Sequence, residues 1–419
     1  MNQVLASIVT IGDELLIGQV IDTNSAFITQ ALNSIGVWTH RRVAVGDVWD
    51  EIWQTLQQES AVSDIVLVTG GLGPTADDIT KPLLCQYFDT HLIENKDAVG
   101  NIKRIFQGRD IPEKVWGQAQ VPQACTPIAN KRGTAFGMWF ERDDTILVSM
   151  PGVPYEMQGM VTDFIVPELQ KKYELPTILY RTLLTAGMGE SAINEILQPF
   201  EDALPASIKL AYLPDLGRVR LRLTTSGADA EVTEKELDAQ FAQMKSLLVD
   251  IAVSDNGDNM QEALGKLLVE KNLTVGTAES CTAGNIAHVI SSVPGASRYL
   301  LGGIVSYSNA VKQDVLGVQN ETLDRYGAVS EQTVREMAQG CLRVVGVDIA
   351  VAVSGILGPD GGSVEMPVGT VWVAVGDQGN IVAKCLRLRY NNRQRNMEAT
   401  TNAALNMLFG FVKEKGKNA

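Results

Sequence analysis

Two rhythms of apolar residues alternate along this chain. In the first part, short β-rich runs (LASIVTIG, WTHRRVAVG, DIVLVTGG) are separated by segments with helical spacing, one after Asp22-Thr23-Asn24 and one reading WDEIWQTLQQES. Short apolar runs that alternate with helices predict βαβ units and a parallel sheet covered on both faces. From about residue 175 the texture changes to TILYRTLLTAG, a helix from Glu190, IKLAYLPDLG, RVRLRLTTSG and the polar helix EVTEKELDAQFAQMKSLLV, which reads as a small α+β unit. In RVRLRL, Arg218, Arg220 and Arg222 alternate with Val219, Leu221 and Leu223, so one face of that strand is basic and the other apolar. After the polar run SDNGDN, α/β alternation returns with MQEALGKLLVEKN, LTVGTAE, CTAGNIAHVISS, GGIVSYS, SEQTVREMAQGCLRVVG, DIAVAVSG, GTVWVAVGD and IVAKCLRLRY before a final helix. The expected organisation is three domains, at residues 1–172, 173–254 and 255–419, of overall α/β class.

Composition narrows what such a protein does. A chain of 419 residues with 45% hydrophobic content is long enough for three cores. Its formal net charge of -14 opposes nonspecific nucleic-acid binding, which depends on Lys and Arg at phosphates. The middle region also lacks the GxxG loop of an RNA-binding KH module, since Gly187-Met188-Gly189 is one residue too short. Five cysteines at irregular spacing suit neither a disulfide framework nor a zinc cluster and point to a reducing cytoplasm. No basic leader and no run of transmembrane length is present in the sequence, so neither secretion nor a membrane partner is expected.

Two constellations carry candidate chemistry. In the first part, Gly12-Asp13-Glu14 and Thr69-Gly70-Gly71-Leu72-Gly73-Pro74-Thr75 each follow a strand, Asp77 and Asp78 close the second turn, and Asp22 with Asn24 opens a helix. Ligands in parallel sheets bind at the carboxyl ends of strands, so these turns are placed to share a site. Backbone N–H groups of such loops cradle phosphates, and gathered carboxylates hold a hard divalent ion. Each part alone also reads as a turn or a helix cap.

In the last part, GTAESCTAG sets Ser280 and Cys281 side by side at an expected helix start, with Ser280 as the cap. Amide hydrolysis needs an activated nucleophile, an oxyanion site and a proton for the leaving amine. The free N–H groups of Cys281, Thr282 and Ala283 are candidate oxyanion donors. Cys281 is intrinsically the better nucleophile, and with Glu279 and Lys312 it would resemble a nitrilase-type arrangement, although small free cysteines are most often simply buried. None of the three histidines, His40, His91 and His288, lies in a Gly-rich motif, so a base is sought elsewhere. Tyr307 and Lys312 in GGIVSYSNAVKQDVLGV supply one, because a desolvated lysine loses its proton near neutral pH. The loop Gly355-Ile-Leu-Gly358-Pro-Asp-Gly-Gly362, which also reads as a plain connecting turn, and the cluster Arg389, Arg393 and Arg395 complete the set.

The segments GDELLIGQVIDTN, TGGLGPTADDIT, MPGVPYEM, AGMGES and LAYLPDLGRVRLRL together resemble the CinA (competence/damage-inducible protein A) family over nearly the whole chain. The resemblance implies a molybdopterin-binding-like N-terminal domain, a KH-like connector and a C-terminal α/β amidohydrolase domain. It implies a bifunctional homodimer acting on small nucleotides. One end would hydrolyse nicotinamide mononucleotide (NMN) to nicotinate mononucleotide and ammonia without a cofactor. The other would split ADP-ribose to AMP and ribose 5-phosphate with Mg²⁺, Co²⁺ or Mn²⁺, and K⁺ alongside. Ser280 matches the nucleophile, Tyr307 and Lys312 the activating pair, and Arg393 a phosphate ligand. Glu279, Cys281, Thr282, Gly355, Gly358 and Arg393 are the expected NMN contacts. Gly12, Asp22, Asn24, Thr69, Gly70, Gly71, Gly73, Pro74 and Thr75 are the expected ADP-ribose contacts, and Asp13, Glu14, Asp77 and Asp78 the metal ligands. One departure stands out: the family usually has Gly-Thr-Ala-Pro-Gly where this chain has Gly133-Thr134-Ala135-Phe136-Gly137, and phenylalanine does not fix φ as proline does. A nucleotide sensor without turnover and a pterin adenylyltransferase are the competing readings.

Overall fold

Strand Leu5–Ile11 is buried along nearly its whole length, as a largely apolar run in the middle of a covered sheet must be. The computed structural model describes residues 3–75, 78–227 and 230–415. Two compact units are present, one of Met1–Ile178 with Ser226–Ala230 and one of Leu179–Thr225 with Glu231–Ala419.

In the first unit a six-stranded sheet runs in the order Trp38–Val45, Leu5–Ile11, Ile65–Thr69, Thr145–Met150, Gly137–Arg142, Thr126–Ile128. The first four strands are parallel and the last two antiparallel, so the expected parallel sheet closes with an antiparallel edge. Alternate residues of each central strand feed different cores, because successive side chains leave a strand on opposite faces. Ile8, Leu67 and Val148 join one cluster with helix Thr23–Ser34, and Val9, Val68 and Leu147 join the other with helix Trp49–Ser60. Phe136, the residue that departs from the family pattern, is 5% exposed and packs with Ala98, Ile102, Ala119 and Val121. The ring therefore anchors its loop by burial where proline would stiffen it through φ.

The second unit holds two sheets. The smaller has the order Ile208–Asp215, Arg218–Gly227, Thr177–Ala186, Ala252–Ser254, with helices Glu190–Asp202 and Ala230–Leu247. Val219, Leu221 and Leu223 are buried in its core while Arg222 is exposed, as the alternation in RVRLRL requires. The larger sheet has the order Leu300–Val305, Val275–Glu279, Ile349–Gly355, Thr370–Gly376, Ile381–Arg387. Its first three strands are parallel and the rest antiparallel. Helices Met260–Glu270 and Arg393–Glu414 cover one face and Glu331–Cys341 the other. The three parallel strands end at Glu279, Val305 and Gly355, so Ser280, Ser306 and the loop after Gly355 emerge together at one sheet edge. Among the described residues, no helix is long and apolar enough to cross a membrane.

Candidate functional site

Ser280 follows strand Val275–Glu279 directly, and its N–H donates to Val353 O at 3.0 Å, which ties it to the neighbouring strand. Lys312, on the short helix Asn309–Asp314 capped by Ser308, projects back under the strand ends. Its Nζ lies 3.1 Å from Ser280 Oγ and donates to Ser306 O at 2.8 Å. Only 1% of Lys312 is exposed, and burial pulls its amine below the ordinary lysine range. A buried lysine in contact with a serine hydroxyl is equipped to take the hydroxyl proton.

The cysteine beside it is placed differently. Cys281 is buried with the apolar residues of the domain core, and that burial pushes its thiol up to about 12. Thiolate is the reactive form, so Cys281 is chemically quiet at neutral pH.

A pocket of about 280 Å³ opens over Ser280 and is bordered by Cys281, Tyr307, Lys312, Gly355, Gly358 and Arg393. Arg393, the first residue of the last helix, donates to Gly358 O at 2.9 Å and to Tyr307 OH at 3.1 Å. Tyr307 is 62% exposed and is held at the rim by Arg393. The hydrogen-bond partner of Ser280 is thus Lys312 itself, and Tyr307 is placed on the ligand side. The pocket also gains Asn309, Ser354 and Asp360, which the sequence reading missed. Asn309 was findable, since it lies three residues before Lys312 on one helix face.

The expected helix start is corrected by the structure. The helix runs Asn285–Ser291 with Gly284 as its cap, and residues 280–283 form a turn. Ala283 has φ 52° and its N–H donates to Ser280 O, which removes it from the expected oxyanion donors. Among the described residues, the N–H groups of Cys281 and Thr282 donate to no backbone carbonyl. The helix start is served by Glu279, whose side chain is fully buried. Its Oε2 accepts from Thr282 Oγ1 (2.6 Å), Gly284 N (3.0 Å) and Ile286 N (3.0 Å), and its Oε1 accepts from Ala287 N (2.9 Å). A carboxylate there matches the unpaired donors and positive end of the helix. Neither Glu279 nor the Thr282 hydroxyl borders the pocket, so both shape the turn from behind.

In the first unit, a pocket of about 440 Å³ is bordered by Gly12, Glu14, Gly70, Gly71, Gly73 and Pro74. Asp78 lies on the same wall, and its carboxylate accepts from Gly73 N (2.7 Å), from Thr75 N (2.8 Å) and from the Thr75 hydroxyl. It therefore shapes the glycine loop. Gly70, at φ 121°, passes so close to Ile11 that an added Cβ would lie 2.2 Å from its carbonyl oxygen, a position for glycine alone. Asp22, Asn24 and Thr69 stand behind this wall as braces. Asp22 caps helix Thr23–Ser34 through Ser25 N, and Asn24 Nδ2 donates to Thr69 Oγ1 and Gly152 O. Asp13 exchanges backbone-to-carboxylate hydrogen bonds with Asp47, each 3.2 Å. Asp77 lies outside the described residues. Asp47, Gln118, Thr134 and Glu156 join the pocket without having been expected. Among the described residues no three acidic, histidine or cysteine side chains converge on one point.

Comparisons with known proteins match three stretches of the chain. Residues 7–171 match the family model described as a probable molybdopterin binding domain, 180–251 the damage-inducible protein CinA KH domain, and 257–412 the CinA C-terminal domain. A CinA-like protein of Cytophaga hutchinsonii is 42% identical over 415 residues, covering 99% of each chain. A CinA-like protein of Flavobacterium psychrophilum is 41% identical over 408 residues, covering 96% of this chain and 97% of its own. Among solved structures, a competence/damage inducible protein CihA from Agrobacterium tumefaciens is 40% identical, covering 36% of this chain and 94% of that one with a TM-score of 0.35.

Proposed function

The chain belongs to the CinA family, and from that premise we propose that its C-terminal domain is a serine amidohydrolase that converts NMN and water to nicotinate mononucleotide and ammonia. The observation that carries this reading is the 3.1 Å contact between Ser280 Oγ and the buried Lys312 Nζ. In the proposed cycle the neutral amine of Lys312 takes the Ser280 proton as Oγ attacks the carboxamide carbon. The N–H groups of Cys281 and Thr282 receive the oxyanion. Lys312 then returns the proton to the departing ammonia, and water hydrolyses the acyl-serine by the reverse use of the same base. Arg393 at the rim suits a phosphate, because guanidinium donors pair with phosphate oxygens. A pocket of about 280 Å³ lies at the small end of ligand sites, which run from roughly 300 Å³, and so suits a mononucleotide better than a dinucleotide.

The test is ammonia release from NMN by the purified full-length chain. Wild type is expected to turn over, and Cys281→Ala to keep its rate within about threefold, since that residue contributes chiefly a backbone N–H. Saturable NMN binding without ammonia would favour the nucleotide-sensor reading, and loss of activity in Cys281→Ala would move the nucleophile to sulfur.

A second reading, for the N-terminal pocket, is hydrolysis of ADP-ribose to AMP and ribose 5-phosphate. It is supported by the glycine loop and by a volume of about 440 Å³, larger than the pocket over Ser280. Asp78→Ala, which frees the loop at Gly73 and Thr75, should weaken ADP-ribose binding by roughly tenfold or more, as the loss of charge-assisted hydrogen bonds implies. Calorimetric titration with ADP-ribose measures that, and chromatography of AMP with and without added Mg²⁺ measures turnover. Unchanged affinity would remove the loop from the site.

A further inference from the structure

The cavity over Ser280 is not the largest one in its unit. A second cavity, of about 520 Å³, lies where the turn Asp215–Arg218 and the loop Gly187–Gly189 meet the strand Ile381–Arg387 and the helix Arg393–Glu414. Its walls are mostly apolar, with Met188, Leu386, Leu388 and Met407 among them. Into this wall the basic face of RVRLRL delivers Arg218.

Arg218 is poorly served by its neighbours. One terminal nitrogen donates to Asn402 Oδ1, and Nε is buried without an acceptor. Among the described residues, no carboxylate pairs with it. Asp215 in the same turn acts on it only at a distance, and its carboxylate accepts from Leu216 N at 2.7 Å. Burial pulls the guanidinium below its ordinary range, against the influence of Asp215. A cation removed from water without an anion is unfavourable unless something else neutralises it. Lys384, which also borders the cavity, is a further cation with no ion pair among the described residues. Glu190 and Asp215 also border the cavity, and neither pairs with Arg218.

We propose that this cavity is a binding site for a small organic anion with a flat or apolar body, the anionic group meeting Arg218 and the body lying against Met188, Leu386 and Met407. The volume falls within the roughly 300–1,000 Å³ of small-molecule sites, and the mixture of apolar wall and one desolvated cation defines the ligand class. The assignment is independent of the amidase reading, because no residue of the Ser280 pocket borders this cavity.

The experiment is fluorescence titration of the full-length protein with 1-anilinonaphthalene-8-sulfonate, with thermal melting as the check on folding. One saturable site per chain is expected. Arg218→Gln should weaken it at least tenfold, and Ala403→Phe, which fills the cavity without altering charge, should do the same. Bound probe should be displaced by 1-naphthyl phosphate and not by neutral 1-naphthol. Absence of saturable binding, equal binding by Ala403→Phe, or equal competition by 1-naphthol would each overturn the assignment. Should Arg218→Gln fail to fold, Ala403→Phe and the naphthol comparison decide.

Discussion

Ser280→Ala and Lys312→Met are each expected to lower NMN deamidation by roughly 10⁴-fold or more, with the double variant little worse than either. In the proposed cycle the two side chains act as one unit, so removing either would end the proton transfer from Ser280 to Lys312. Lys312 has a second diagnostic. It acts as a base only when neutral, and at the ordinary lysine pKa only roughly one amine in 2,500 would be neutral at pH 7. Its lowered pKa raises that fraction, with burial as the cause. Activity should therefore fall as pH drops through the depressed pKa of Lys312, giving kcat/KM an acid limb that lies below the ordinary lysine range. The same shift has a stability consequence whose sign can be worked out. Since the unfolded lysine holds its proton more tightly than the folded one, stability contributed by this group rises with pH between the folded and unfolded pKa values. Below both, the buried charge is a full cost. A kcat/KM profile from pH 5 to 10 for wild type and Lys312→Arg checks the assignment. A flat wild-type profile, or a Lys312→Met variant that retains ammonia release, would rule out the lysine as base.

How much of this was legible in the sequence depended on whether a feature was local. The strand runs are readable because buried parallel strands are largely apolar, and of Ile286, Val289 and Ile290, whose spacing places them toward the sheet, Ile286 and Ile290 are fully buried and Val289 partly so. Ser280 and Lys312 could be named because each lies in a short motif next to a strand end. Their direct contact could not, since it depends on how the strands Val275–Glu279 and Leu300–Val305 lie side by side. The hydrogen bond that Tyr307 accepts from Arg393 at the pocket rim depends on the same assembly of distant segments. The start of the helix after GTAESCTAG was misplaced for a physical reason. Ser280 and Cys281 followed by small residues look like a cap and a first turn, whereas the donors are in fact satisfied by Glu279 reaching forward from the strand. The lack of an ion pair at Arg218 is equally invisible in the sequence, because alternation in a strand tells which face a residue takes and not what that face meets.

Glu279→Ala is expected to destabilise the domain by about 3–5 kcal/mol and to lower the deamidation rate further than that loss of folded protein explains. The first part follows from a count of donors. The Thr282 hydroxyl and the N–H groups of Gly284, Ile286 and Ala287 would lose their acceptor at a fully buried position. Each buried unsatisfied donor costs roughly 1–3 kcal/mol, and water entering the vacated space returns some of it. Glu279→Gln separates the two effects. Its carbonyl oxygen can still serve the three donors at the Oε2 position while its amide opposes Ala287 N, so a loss of about 1–2 kcal/mol is expected. Glu279 does not border the pocket over Ser280, so its influence on catalysis passes through the turn 280–283 that sets Ser280 Oγ against Lys312 and leaves the Cys281 and Thr282 N–H groups without a carbonyl partner. In Glu279→Gln, kcat should therefore fall by roughly tenfold or more while KM changes little, the pattern of an interaction realised only in the transition state. Urea unfolding measures the first quantity and steady-state kinetics on NMN the second. Labelling of Ser280 by a fluorophosphonate gives a readout that does not depend on NMN being the substrate. A Glu279→Gln enzyme with wild-type kcat and labelling rate but reduced stability would reduce this carboxylate to a helix cap. Loss of both rates in a protein that still folds would make it the residue that holds the nucleophile in register.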